Sequence, residues 1–185
     1  MQRMGSSRRT AARLAGFVQA AQAGGTVQAL RRFGLERCIG RPVREVLAEL
    51  LEAMCPQGGR IDEGIARQAF QNAIVDFAAQ DLPPVEQLTG EQWNVLFTDF
   101  LVRSIELRVI ADVGQGSLKV TENVQQFREA AEVMHNVVMA TVQEALGDTF
   151  ARLGTVPETQ LQALTDQAYE RAWGLFEDSA ADDEL

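Results

Sequence analysis

The sequence predicts an all-α protein, a compact helical bundle or orthogonal array of about five to seven helices. Three observations predict it. Apolar residues recur at three- and four-residue steps through most of the 185 positions. Period-two alternation of β-branched residues is absent. Glycine and proline fall where they divide the chain into helix-sized lengths joined by short connections. No repeat period occurs, which argues against a solenoid.

Each element has its own signal. Ser6 and Ser7 are placed to cap a first helix from Arg8 to Ala23, which Gly24-Gly25 ends. A short helix from Val27 to Phe33 stops at Gly34. Pro42 suits a first helical turn, and Val43, Val46, Leu47, Leu50, Leu51 and Met54 then share one face. Pro56 and Gly58-Gly59 break the chain. Asp62 suits the cap of a helix reaching about Gln80, with Ile65, Ala69, Ile74 and Phe77 as its inner stripe. Leu82-Pro83-Pro84 interrupts. Thr89 with Gln92 has capping-box spacing and opens a long helix through Trp93, Leu96, Phe97, Phe100, Leu101, Ile105 and Leu107 to about Val113. Gly114 and Gly116 close it, and a loop holds Lys119. Thr121 caps a helix through Val124, Phe127, Ala131, Met134, Val138 and Val142, which either ends near Gly147 or bends there and continues to Leu153. Thr155 with Glu158 is a second capping box, before a last helix carrying Leu161, Leu164, Ala168, Trp173, Leu175 and Phe176. One helical domain over 1–178 and a disordered acidic tail over 179–185 are expected.

Charge is unevenly placed. Residues 1–60 hold ten arginines against four glutamates, and residues 61–185 hold seven basic against twenty-two acidic residues, for −9 in all. Lys119 is the one lysine, and arginine suits bidentate contact with carboxylate or phosphate. Such asymmetry points to a partner. Arg8-Arg9 and the Ala21–Ala23 triplet raise the question of a twin-arginine export signal. Gln19 and Gln22 interrupt the apolar stretch such a signal needs, whereas Leu14, Phe17, Val18 and Ala21 share one helical face. The stretch therefore reads as an amphipathic first helix. Basic residues at its start oppose the helix dipole, which points Arg8 and Arg9 toward a partner. No stretch has the length and apolarity of a membrane span, and a cytoplasmic location is expected.

The sequence shows no catalytic set. Cys38 and Cys55 read as reduced, partly buried thiols. His135 is the one histidine; Glu132 stands three residues before it, but no second Glu-x-x-His pair exists to share a metal. Gly58-Gly59 lacks the Gly-Lys-Ser/Thr ending of a phosphate loop and reads as a tight turn. Asp99 and Glu106 share a helix face, with Arg103 and Arg108 as their expected partners. No catalytic residue, metal site or cofactor is expected.

Several stretches together resemble a known family: "RMGSSRRTAARLAGF" (3–17), "LRRFGLERCIGRPVREVLAELLEAMCPQGGRIDEGIARQAF" (30–70), "SIELRVIADVG" (104–114) and "AYERAWGLFED" (168–178). They are similar to the QatB family of the four-gene Qat anti-phage defence system of bacteria, over nearly the whole chain. The resemblance implies a system with an ATPase, a QueC-like enzyme (QatC) and a TatD-like nuclease, in which the QatB member has no recognisable enzyme fold. It implies a non-enzymatic adaptor or substrate that binds QatC and presents a flexible N-terminal arm for modification, in related systems with a deazapurine. Family members carry a Pro/Gly/Ser/Asp-rich segment before "RMGSSR", so the chain is expected to be the folded C-terminal part of a longer protein. The expected partner-binding residues are Arg8, Arg9, Arg13, Arg41, Arg44, Gly58, Gly59 and Asp62. The ATPase and the nuclease are further candidate partners, and a nucleic-acid-binding module of the same complex is the alternative.

Overall fold

Several helix ends in this protein are set by glycines and by local capping pairs, and one by a polar side chain of a neighbouring helix. The computed structural model describes residues 5–55, 60–116 and 124–147, together with 157, 159, 160, 163, 166, 167, 170 and 171; for 112–116 and 124–131 it describes the backbone alone. Six α-helices lie among the described residues: α1 (Gly5–Gly24), α2 (Thr26–Arg32), α3 (Val43–Met54), α4 (Ile61–Ala78), α5 (Gly90–Gly116) and α6 (Val124–Leu146), with 3-10 turns at Glu36–Cys38 and Val85–Gln87. The described residues contain no strand, and the all-α expectation holds. Helical backbone recurs at Thr159, Gln160, Ala163, Asp166, Gln167, Glu170 and Arg171, within the expected last helix. The expected Pro56–Gly59 turn, the Lys119 loop, the Thr121 cap, the Thr155/Glu158 capping box and the acidic tail lie outside the described residues. So do the apolar positions expected for the last helix. No described helix is long and apolar enough to cross a membrane.

The boundaries follow the sequence closely. After α2, Gly34 adopts φ 72° and the Leu35 amide donates to the Leu30 carbonyl at 2.8 Å, a left-handed cap that favours glycine. The Thr89/Gln92 box forms as the spacing implies. The Thr89 amide donates to Gln92 Oε1 at 2.9 Å and the Gln92 amide to Thr89 Oγ1 at 3.3 Å. Gly147 ends α6 at φ 47°.

Helix α5 packs against α1, α4 and α6, and α1 packs against α2, α4 and α5. Their inner faces make one apolar core, with Leu14, Phe17, Phe70, Phe77, Leu96, Phe100 and Ile105 buried. At its centre Trp93 is fully buried, with the Phe17 ring edge-on at 4.9 Å and the Phe77 ring tilted at 6.1 Å. The Trp93 indole N–H donates to Thr26 Oγ1 at 2.8 Å, and that hydroxyl donates onward to the Leu88 carbonyl at 3.0 Å. This relay joins α5, α2 and the turn before α5. At Gly90 a Cβ would come within 2.5 Å of Gln22 Cγ, so a glycine lets α5 start close against the end of α1. Gln22 then donates from Nε2 to Asn94 Oδ1 at 3.1 Å.

Two expectations are corrected. The inner stripe of α4 is Ala66, Ala69, Phe70, Ala73 and Phe77; Ile65 and Ile74 are only half-buried. Alanines let α4 lie close on α1 and α5, which rotates the helix toward its small face. Ser6 and Ser7 do not cap α1 from outside; they lie within it and are buried.

Replacing Thr26 by Val keeps shape but leaves the Trp93 N–H and the Leu88 carbonyl without their partner. We expect a loss of about 2 kcal/mol or more in urea denaturation, against a much smaller loss for Thr26→Ser.

Candidate functional site

The start of α1, the end of α3 and the start of α4 meet at one corner. The cap that sequence placed on α4 is spent across this junction. Asp62 occupies the first turn of α4, and its Oδ2 accepts from the Ser6 amide at 2.6 Å, satisfying a free N–H at the start of α1. The start of α4 is closed instead by Glu63, whose Oε2 accepts from the Arg60 amide at 3.2 Å. Arg67 fixes α4 to α3 by donating to the Cys55 carbonyl at 2.7 Å and pairing with Glu52.

A cleft of about 180 Å³ opens at this corner, lined by Ser6, Arg9, Thr10, Arg13, Cys55 and Glu63 among others. Arg9 and Arg13 stand one helical turn apart on the exposed side of α1. Arg9 Nη2 donates to Ser6 Oγ at 2.9 Å. Among the described residues no carboxylate forms an ion pair with either arginine. The Cys55 thiol beneath them is buried, with Sγ 3.4 Å from Thr10 Oγ1. Burial pushes that thiol up, more than its bond to Thr10 and the nearby Arg67 and Arg13 charges pull it down, so it packs as the neutral thiol.

The remaining expected residues divide. Arg8 faces the last helix: its Nε lies 3.4 Å from Asp166 Oδ1 and its Nη2 3.7 Å from Glu170 Oε1. Arg41 lies 3.8 Å from Glu45 within α3. Arg44 lines a separate depression with Ile74, Val75, Ala78 and Ala79. Arg44 and Cys55 stand at opposite ends of α3, about 16 Å apart along its axis. Thus Arg9, Arg13 and Asp62 come together, Arg8 flanks them, and Arg41 and Arg44 belong to another patch. Gly58 and Gly59 lie outside the described residues. Sequence reading missed Thr10, Cys55 and Glu63 as cleft walls, because only the three-helix junction brings them beside the arginines.

The carboxylates considered for chemistry are engaged by side chains of the fold. Asp99 Oδ2 accepts from Arg103 Nε at 2.9 Å, as expected, and Arg103 also pairs with Asp76. Glu106 meets His135 Nδ1 at 2.7 Å, where the sequence had set Glu132 beside that histidine. Burial raises Glu106 above the ordinary carboxylate value, while the contact with His135 pulls it back less. Among the described residues no group of three or more His, Cys, Asp or Glu side chains is placed to hold a metal ion.

Two outcomes are expected. Asp62→Ala removes the cap on α1 and costs about 1 kcal/mol, with faster hydrogen exchange at the Ser6 amide. A raised Glu106 stabilises the fold below pH 4.5, and that contribution is lost as pH rises through its folded value. Glu106→Gln should therefore gain stability relative to the parent as pH climbs from 4.5 toward neutrality, measured by thermal melts across that range.

Comparison with known proteins places the chain. A family model described as "QatB: Qat anti-phage system associated protein QatB" matches residues 1–176. No curated protein and no solved structure matches. With 1–176 matched, nearly the whole of its length, the chain belongs to the QatB family, a component of the Qat anti-phage system.

Proposed function

We propose that this chain is a non-enzymatic adaptor of the Qat system, working in the cytoplasm, that docks on the QueC-like partner QatC through its arginine corner. It presents its N-terminal segment there for modification. The observation that carries this reading is the pair Arg9 and Arg13, exposed side by side on a cleft and without a carboxylate partner among the described residues. Arg8, Arg37, Arg41, Arg67 and Arg103 each have one, and Arg31, Arg32, Arg44 and Arg60, which form no ion pair with a described carboxylate, do not line this cleft. Two unneutralised guanidinium groups one turn apart match two acidic side chains of a partner protein, with planar, bidentate geometry. Asp76, Asp99 and Glu106 are engaged with Arg103 and His135, which supports a structural role for them rather than an acid–base one. The ATPase and the TatD-like nuclease of the system are further candidate partners in the same assembly.

Arg9→Glu combined with Arg13→Glu should abolish co-purification with QatC, while leaving the circular dichroism melt within a few degrees of the parent. Arg41→Glu with Arg44→Glu should weaken it little, because those residues lie at the other end of α3. Retention of QatC by the Arg9/Arg13 variant would sink the adaptor reading. Salt-dependent DNA binding lost in that variant would favour the nucleic-acid module instead.

A further inference from the structure

A large hollow lies away from the arginine corner. It is a trough of about 610 Å³ between α4, α5 and the end of α6. Ala73, Phe77, Leu96 and Met139 make its floor. Val95 stands on its wall with 51 % of its surface in water, an unusual position for a large apolar side chain beside an apolar floor. Its margin carries Asp76, Glu91 and Asp99, and no basic residue lies among its described lining. Arg103 reaches Asp76 and Asp99 and offsets one of these three charges, leaving the margin negative.

We propose that this trough is a second docking surface, and that it takes a helical segment of another protein, apolar on one face and flanked by lysine or arginine. Three packed helices with a gap between them offer the shape into which a fourth helix lays its apolar face. The exposed Val95 and the half-buried Met139 supply the apolar contact, with Phe77 and Leu96 buried beneath them as a rigid base. The carboxylates select the charge of the incoming segment and disfavour an acidic one. The surface is distinct in place and in sign from the arginine corner, so the two can be engaged at once.

The test uses the full chain and two synthetic 18-residue amphipathic helical peptides with leucines on one face, one with lysines on the other face and one with glutamates. Binding is read by fluorescence anisotropy at physiological salt. The lysine peptide should bind and the glutamate peptide should not. Val95→Lys should weaken the lysine peptide at least tenfold, and Glu91→Gln several-fold. Both sites are exposed, so the fold is kept, which thermal melts check. Arg9→Glu with Arg13→Glu should leave the peptide affinity within threefold, which separates this surface from the arginine corner. Equal binding of both peptides, no binding of the lysine peptide, or binding unmoved by Val95→Lys would overturn the proposal.

Discussion

One hydrogen-bonded relay orders the interior. A tryptophan can be buried at the centre of a helical core only if its indole N–H finds an acceptor, and here the acceptor comes from 67 residues earlier in the chain. The Thr26 hydroxyl satisfies it and, in the same stroke, satisfies the Leu88 carbonyl just before α5. The relay therefore fixes the short helix α2 and the start of the long helix α5 against each other. With Trp93 locked, the rings of Phe17 and Phe77 have one place to pack, and α1 and α4 take their positions from them. The direction of the central helix, and every surface built on it, depends on this arrangement.

The same economy shapes the arginine corner. An aspartate at the start of one helix normally serves that helix; Asp62 serves α1 instead, and Glu63 closes α4 in its place. That exchange brings two helix starts side by side. It also sets Arg9 and Arg13 above a buried thiol and a threonine. The site is thus a product of tertiary placement. Its arginines were visible in the chain, but their separation from Arg41 and Arg44 was not, because that depends on how α3 and α4 run past each other.

The legible and illegible parts divide on physical lines. Features decided within one turn could be read directly: the Thr89/Gln92 box, the Gly34 stop, and the apolar face of α3. The first helix was legible too, since Leu14, Phe17, Val18 and Ala21 are all buried. Features decided by contacts between distant segments were hidden. The face α4 buries depends on how closely its alanines approach α1 and α5, so Ile65 and Ile74 misled. Ser6 and Ser7 have the chemistry of caps, yet the start of α1 is buried and capped from outside. Glu106 gave no sign that it would meet His135, because the crossing of α5 and α6 alone brings them together. Trp93 was legible as core, but its partner Thr26 was not.

The ion pairs of Arg8 have a consequence for synthesis. Asp166 lies 158 positions after Arg8, so the two meet only once the chain has been made as far as residue 166. Domains made on the ribosome begin folding from the N-terminus, and α1, α2, α3 and α4 have emerged well before residue 166. Throughout that interval Arg8 stands beside Arg9 and Arg13 without Asp166 and Glu170, the two carboxylates that later engage it. The positive field at this corner is therefore strongest before residues 166 and 170 take their places and weaker afterwards.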